Sequence, residues 1–272
     1  MAINLAEKYS AKVDERFKLG SIITGLTNQD YDWDGVNSIK VYSINTVATG
    51  AYTRSGANRY GTPAELQDTV TPYTITQDRA FTFTIDKGND MEQLGVKNAG
   101  KALAREIDEV LIPEHDKYVL GKMVAGAGNT FVKPITKSNA YEAILEANEA
   151  LSEDLVPQTG RIIVAPYSFL TKIKQDPSFV KQADLGQAIA LNGQVGTVDG
   201  APLVLAPATY FPTDVELLVV HPVATVAPVK LNEYKLHLDP PGISGALVEG
   251  RTIYDAFVLA NKADAICAVK SK

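Results

Sequence analysis

The run Asp30-x-Asp32-x-Asp34-Gly35 is the pattern in this sequence that comes nearest to a metal site. It repeats the start of a calcium-binding loop, in which alternating carboxylates and a glycine at the sixth position wrap the chain around the ion. The twelfth position, where such a loop places a bidentate glutamate, is Val41, and a strand pattern follows where a helix is required. We therefore interpret the run as a solvated turn and predict no metal site.

The sequence contains three histidines and one cysteine: His115, His221, His237 and Cys267. No two histidines stand four residues apart, and the cysteine lies in an apolar stretch that favours an inert thiol. P-loop, G-x-S-x-G and G-x-G-x-x-G motifs are missing from the sequence. We predict no catalytic residue, no cofactor and no enzymatic activity. One alternative stays open, a soluble hydrolase or metal-dependent enzyme whose cluster folding would assemble from His221, His237, Asp214 or Asp239.

Residues 48–66 form a segment rich in Gly, Ser, Thr and Asn, with neither helical nor strand periodicity. This composition predicts an exposed loop tip. Three larger side chains stand out in it: Arg54, Arg59 and Tyr60. Arg and Tyr anchor many protein interfaces, so we predict that these residues make intersubunit contacts. The alternative, that they are merely solvated, stays open.

The flanking segments, residues 38–47 and 69–86, alternate apolar and polar residues and are rich in β-branched types. They predict two long strands that form an extended hairpin around the tip. Because a two-stranded ribbon is marginally stable alone in water, we expect this one to lie on another polypeptide.

A long amphipathic helix is predicted over residues 89–126. Its apolar residues recur every three or four positions: Val96, Ala99, Leu103, Ile107, Val110 and Leu111. Pro113 removes one backbone donor from this helix, which predicts a kink or a restart between Leu111 and Glu114.

Beyond the long helix, strand and helix patterns alternate over residues 138–225, which indicates a compact α/β subdomain. Its elements include a helix capped by Ser138 or Asn139. Strand patterns return from residue 230 to the end of the sequence, and we expect those strands to pack on the long helix. The predicted fold class is α+β, with the α/β subdomain inserted into a discontinuous one.

The composition excludes some classes of function. The formal net charge is −6 without a basic block, which argues against a dedicated nucleic-acid-binding surface. The first 20 residues carry charges throughout, and no window has the 18 or so apolar residues of a membrane span. We expect no membrane association.

The order of these parts resembles the major capsid proteins of tailed bacteriophages, with the HK-97-like fold. The most specific stretches are YTRSGANRYGTPAEL at the loop tip and LAREIDEVLIPEHDKYVLGKM in the long helix, which are similar to capsid proteins from phages and prophages of Gram-positive bacteria. The resemblance implies an N-terminal arm (1–36), an E-loop hairpin (37–86), a peripheral domain with the spine helix (87–137 and 226–272) and an axial domain (138–225).

The resemblance also implies a function. The subunits would form pentamers and hexamers of an icosahedral shell around double-stranded DNA, contacted without sequence specificity. The shell would assemble in the host bacterial cytoplasm, become part of the virion and include a portal; binding of a decoration protein stays open. Since the arm is short, scaffolding would come from a separate protein. Residues 48–66 contain no lysine, so we predict no E-loop cross-links. An encapsulin-type bacterial compartment shell is the alternative with the same fold.

Overall fold

The computed structural model of the chain describes residues 20–23, 25–28, 30–31, 38–92, 98–179 and 196–272. Its strands are β1 (Ser38–Ile44), β2 (Asp68–Thr74), β3 (Gln77–Asp86), β4 (Asn129–Val132), β5 (Ile162–Pro166), β6 (Thr197–Val198), β7 (Ala201–Ala206), β8 (Val215–Val220), β9 (Thr225–Val226), β10 (Val229–Leu238), β11 (Gly245–Tyr254), β12 (Phe257–Val258) and β13 (Ile266–Lys270). Its α-helices are α1 (Lys87–Glu92), α2 (Ala99–Glu106), α3 (Ile112–Ala125), α4 (Ala140–Glu153) and α5 (Tyr167–Lys174). A π-helical segment, Ile107–Leu111, joins α2 to α3, and short 3₁₀ turns occupy Ala208–Tyr210, Pro222–Ala224 and Ala260–Ala265.

The largest sheet has six strands in the order β4-β13-β8-β5-β7-β6. It is mixed, because β13 pairs parallel with β4 and β5 pairs parallel with β7, whereas the other pairs are antiparallel. The turn between β6 and β7 is Asp199-Gly200, both at positive φ, as a two-residue type I′ hairpin turn requires.

Helices cover both faces of this sheet, which explains why its central strands are apolar at most positions. On one face, Leu218 packs in a core cluster with Leu120 and Met123 of α3. On the other face, Leu217 packs with Ile144 of α4. Adjacent residues of one strand thus serve two separate cores, as the alternation of side chains along a strand dictates.

A second sheet has three antiparallel strands in the order β10-β11-β3. The register places Val248 of β11 between Leu236 and Phe83 on the same face. Val248 is fully buried, and α2 contacts β11.

Strands β1 and β2 form a two-stranded antiparallel ribbon, as the alternating pattern predicts. The predicted return strand over residues 69–86 is divided in two: β2 pairs with β1, whereas β3 pairs with β11 in the second sheet. Ile75 and Thr76 lie between the two strands and belong to neither ladder.

The long helix begins later in the chain than the predicted range 89–126. Helix α2 begins after Asn98, whose side chain accepts a hydrogen bond of 3.1 Å from the backbone N–H of Lys101. Residues 93–97, including Val96 of the predicted stripe, lie outside the described part of the chain. From Ala99 the helix runs on to Ala125 through the π-helical segment.

The π-helical segment ends two residues before Pro113. The backbone N–H of Ile112 donates to the carbonyl of Ile107, five residues back, and Leu111 keeps helical dihedral angles (φ −68°, ψ −45°). A proline within an α-helix leaves the carbonyl four residues earlier without a partner and clashes with it, so a wider turn at this point accommodates the ring. A kink at Pro113 stays a prediction.

Two further features differ from the sequence-based expectation. The six-stranded sheet includes β4 and β13, which lie outside the predicted range 138–225, because β13 inserts between β4 and β8. The domain limits themselves stay a prediction. Helix α4 begins after Asn139, but that side chain accepts hydrogen bonds from Thr136 instead of capping the helix. The Asp176 carboxylate accepts from the backbone N–H of Tyr141 in its place, at 3.0 Å.

Candidate assembly interface

The loop tip has a defined local structure. The backbone N–H of Thr53 donates to the carbonyl of Arg59 at 3.0 Å, and the Arg59 Nε donates to the carbonyl of Gly56 at 3.2 Å. Asn58 adopts a positive φ of 54° in the turn between them, a conformation that asparagine tolerates better than most residues. The tip is therefore built by its own turns, and its side chains project from it.

The predicted contact residues are all at this tip and all exposed. Tyr60 is 92% exposed, and its ring meets the ring of Tyr52 edge-on with centroids 4.9 Å apart. Arg54 is exposed beside them, whereas Arg59 uses part of its guanidinium within the tip. All three residues lie in the same tip, and their contact with another subunit stays a prediction.

Apolar side chains that the sequence reasoning did not single out lie on the outer face of the ribbon. Tyr42 is 65% exposed and Ile44 is 69% exposed, and Tyr42 lies directly opposite the exposed Val70. The signal was present in the sequence, because β1 carries apolar residues at both odd and even positions, which indicates that both faces of the ribbon are to be covered.

The inner face of the ribbon is covered by the subunit itself at its root. Val41 packs in a core cluster with Val226, Phe257 and Leu259. Tyr73 stacks on Phe257 with ring centroids 4.0 Å apart, and its hydroxyl accepts a hydrogen bond from the backbone N–H of Ala260. The root is thereby fixed to the body of the subunit, while the outer face has no such cover from the described residues.

The residues considered for chemistry lie apart from one another. The Asp32, Asp34 and Gly35 positions of the calcium-like run are outside the described residues. His221 accepts a hydrogen bond from the backbone N–H of Val223. The Nε2 of His237 lies 3.4 Å from Oε2 of Glu249, and both of these side chains are exposed on the second sheet. Across the described ranges, no group of three or more His, Cys, Asp or Glu residues is arranged to hold a metal ion.

Burial governs the remaining candidate groups. Burial lowers the pKa of His115, whose Nε2 is enclosed without a hydrogen-bond partner among the described residues. Burial also raises the pKa of the Cys267 thiol to about 12, which keeps it protonated and unreactive at neutral pH.

Among the helices of the described ranges, none has the length and apolar character to span a membrane.

The sequence matches no protein-family model and no curated protein. Solved structures do match over almost the whole chain. A chain from Mycobacterium phage Che8 matches with a TM-score of 0.83 and 17% identity, covering 98% of this chain and 97% of that one. The capsid structure of Cyanophage P-SCSP1u gives 0.79 at 13% identity (97% and 92% covered), and the mature capsid of bacteriophage PhiM1 gives 0.78 at 14% (97% and 91%). The chain therefore has the α+β, HK-97-like fold of tailed-phage capsid structures.

Proposed function

We propose that this protein is the major capsid protein of a tailed bacteriophage. It is a structural protein and not an enzyme, and many copies assemble into the icosahedral head of the virion. Each copy contributes to a pentamer or a hexamer.

The observation that carries this proposal is the extent of the structural likeness. Between 91% and 97% of the matched phage chains is covered, together with 97–98% of this chain. The likeness thus includes the projecting ribbon and the helix as well as the six-stranded sheet. A shared core alone would leave the function open, since one fold hosts many functions. The described residues also leave apolar side chains on the outer face of the ribbon exposed, which fits a subunit that packs against its copies.

The exposed ribbon supports a role in assembly. Its outer face carries Tyr42, Ile44 and Val70, and its tip carries Arg54 and Tyr60. Exposed apolar side chains next to Arg and Tyr are typical of the centre of a protein interface. The ribbon of one copy lies across a neighbouring copy, and Arg54, Arg59 and Tyr60 contact that neighbour.

We assign the parts of the subunit accordingly. The second sheet and the helix from Ala99 to Ala125 form the peripheral domain, and the six-stranded sheet with α4 and α5 forms the axial domain near the capsomer centre. The axial domain then includes β4 and β13 in addition to the range 138–225.

The shell encloses double-stranded DNA and works with a portal and a separate scaffolding protein. The net charge of −6 supports this, because a lining that bound phosphates tightly would hinder packaging and release. Assembly takes place in the host cytoplasm.

Electron microscopy of the expressed protein tests the proposal. We expect pentamers, hexamers or closed particles, and a monomer at all concentrations would overturn it. Particles isolated from infected cells separate the two shell types: genomic DNA inside supports the phage head, whereas a bound cargo enzyme would instead indicate an encapsulin.

The double variant Arg54→Ala/Arg59→Ala tests the tip. We expect a folded subunit with an unchanged melting temperature and a particle yield at least about tenfold lower, since two interface arginines contribute more than about 1.4 kcal/mol. The matched control, Lys101→Ala/Lys137→Ala, removes two exposed positive charges outside the ribbon. An unchanged yield in the arginine variant would remove the tip from the interface.

A further inference from the structure

Asp255, which follows the end of β11, is a buried carboxylate at the root of the ribbon. The residue is 4% exposed, and its two oxygens accept four hydrogen bonds. Oδ2 accepts from the backbone N–H and the hydroxyl of Thr76, at 2.7 and 2.9 Å. Oδ1 accepts from the Tyr118 hydroxyl and the backbone N–H of Ala256, both at 2.7 Å.

These donors come from different parts of the chain. Thr76 lies between β2, which belongs to the ribbon, and β3, which belongs to the second sheet. Tyr118 belongs to α3, and its ring also packs edge-on against the ring of Tyr254. One side chain therefore joins the ribbon, the helix and the second sheet.

The position of Thr76 matters because no strand pairing holds it. The ladder of the ribbon ends at Thr74, and the ladder of the second sheet begins at Gln77. Ile75 packs on the cluster of Val41, Val226, Phe257 and Leu259, which holds the root of the ribbon on the body, whereas Thr76 is held by its hydrogen bonds to Asp255. We call Ile75 and Thr76 the joint, because their backbone angles could vary without breaking either ladder. Hydrogen bonds to an ionised acceptor are stronger than those between neutral groups, so the carboxylate is well suited to fix such a joint.

We propose that Asp255 is a positioning residue that sets the direction of the ribbon relative to α3. It holds the Ile75–Thr76 joint in one conformation, so that the ribbon is presented to a neighbouring subunit at a fixed angle. The role in assembly rests on the proposed function; the fixing of the joint does not.

The leverage at this joint is large. The paired strands of the ribbon are seven residues long, which at about 3.3 Å per residue places their far end roughly 23 Å from the joint. A change of about 10° at the joint would move that end by roughly 4 Å, well beyond the ~1 Å that preformed interfaces accommodate. A loosened joint would therefore misplace the whole outer face.

The distance between the ribbon tip and α4 in the unassembled subunit measures this directly. Spin labels are attached to a Ser55→Cys/Glu149→Cys variant, in which both positions are exposed. Pulsed electron paramagnetic resonance then measures the distance between the two labels. The buried Cys267 does not compete for the label. We expect a narrow distance distribution in the unaltered protein and a width at least twofold larger in Asp255→Asn.

A second variant covers the case in which Asp255→Asn does not fold. Thr76→Val/Tyr118→Phe removes two hydroxyl donors and keeps the ring of Tyr118 in its packing. We expect the same broadening from it. The matched control is Asp116→Asn in α3, a buried carboxylate that binds the hydroxyl of Ser21 and the N–H of Ile22 and makes no contact with the joint.

The outcomes separate the two proposals. An unchanged distance width in Thr76→Val/Tyr118→Phe, or an equal broadening in Asp116→Asn, would overturn the role of Asp255. In the assembly reaction we expect the broadened variants to give misshapen particles or at least tenfold fewer of them, and a normal yield would overturn the role in assembly. If the unaltered protein stayed monomeric at all concentrations, the proposed function would fail while the distance measurement still tested the joint.

Discussion

The six-stranded sheet and the β1–β2 ribbon are built from similar residue types but bury them differently. In β8, Leu217 and Leu218 are fully buried on opposite faces of the sheet. In the ribbon, Val41 on the inner face is buried, whereas Tyr42 and Ile44 on the outer face are more than half exposed. Side chains alternate between two faces in both regions. Both faces are buried in the six-stranded sheet, whereas only the inner face is buried in the ribbon.

This difference indicates a division of roles within the subunit. The six-stranded sheet obtains its cover from the helices of its own chain, so its side chains determine the stability of the subunit. The outer face of the ribbon has no cover from the described residues, so its side chains affect assembly more than stability. Substitutions in the two regions should therefore have different effects in an unfolding experiment on the unassembled subunit.

The largest effect on stability is expected for Leu218→Ala. This side chain is fully buried between the sheet and α3, and truncation of a buried leucine leaves a cavity that costs about 2–5 kcal/mol. Urea unfolding of the unassembled subunit measures the loss. A loss below about 1 kcal/mol would mean that the core around α3 relaxes into the cavity, against the close packing described for this region.

An intermediate effect is expected for Asp176→Asn. Burial opposes ionisation of this carboxyl, but backbone N–H groups of Tyr141, Ser178, Phe179 and Ala140 together outweigh it and lower its pKa. A lowered pKa stabilises the fold above the ordinary pKa of aspartate, and this contribution disappears as the pH falls through the lowered value. We expect the variant to be about 1–3 kcal/mol less stable at pH 7.

The pH dependence provides the check on that prediction. The difference in unfolding free energy between Asp176→Asn and the unaltered protein should shrink as the pH falls below about 4, because the unfolded state then takes up a proton on this carboxyl before the folded state does. A difference that stayed constant between pH 7 and pH 3 would contradict the capping role of the ionised group at α4.

The smallest effect on stability is expected for Tyr42→Ser/Ile44→Ser. Both side chains are exposed on the outer face, so the unfolding free energy should change by no more than about 0.5 kcal/mol. Particle yield should nevertheless fall at least about tenfold, if a neighbour covers this face. The variant Lys101→Ala/Lys137→Ala, whose exposed side chains lie outside the ribbon, is again the control and should leave the yield unchanged. Strong destabilisation of the isolated subunit by the double variant would contradict the conclusion that the outer face of the ribbon affects assembly more than stability.

Local sequence patterns were sufficient to predict those elements whose conformation is determined by residues close together in the chain. The alternation around Tyr42 predicted β1, and the alternating strand and helix patterns after residue 138 predicted elements such as α4 and β8. Contacts between distant parts of the chain were not predictable in this way. Asp176 caps a helix that begins 36 residues before it, and nothing in the alternating pattern marks the joint at Ile75 and Thr76.

The same distinction between local patterns and long-range contacts applies to the candidate site. Composition alone placed Arg54, Arg59 and Tyr60 at an exposed tip, since small residues around them form no regular element. Asp255 was not identified, because its role depends on a threonine 179 residues earlier in the chain and a tyrosine 137 residues earlier. The position of β13 inside the six-stranded sheet depends equally on partners far away in sequence.

The π-helical segment between α2 and α3 changes the phase of the long helix. A hydrogen bond that spans five residues instead of four includes one additional residue, which corresponds to about 100° of rotation in an α-helix. Before this segment the helix contacts β11 of the second sheet, and after it the helix contacts β12 and β13. A single rod can therefore direct its apolar side chains toward different sheets at its two ends, without a loop between them.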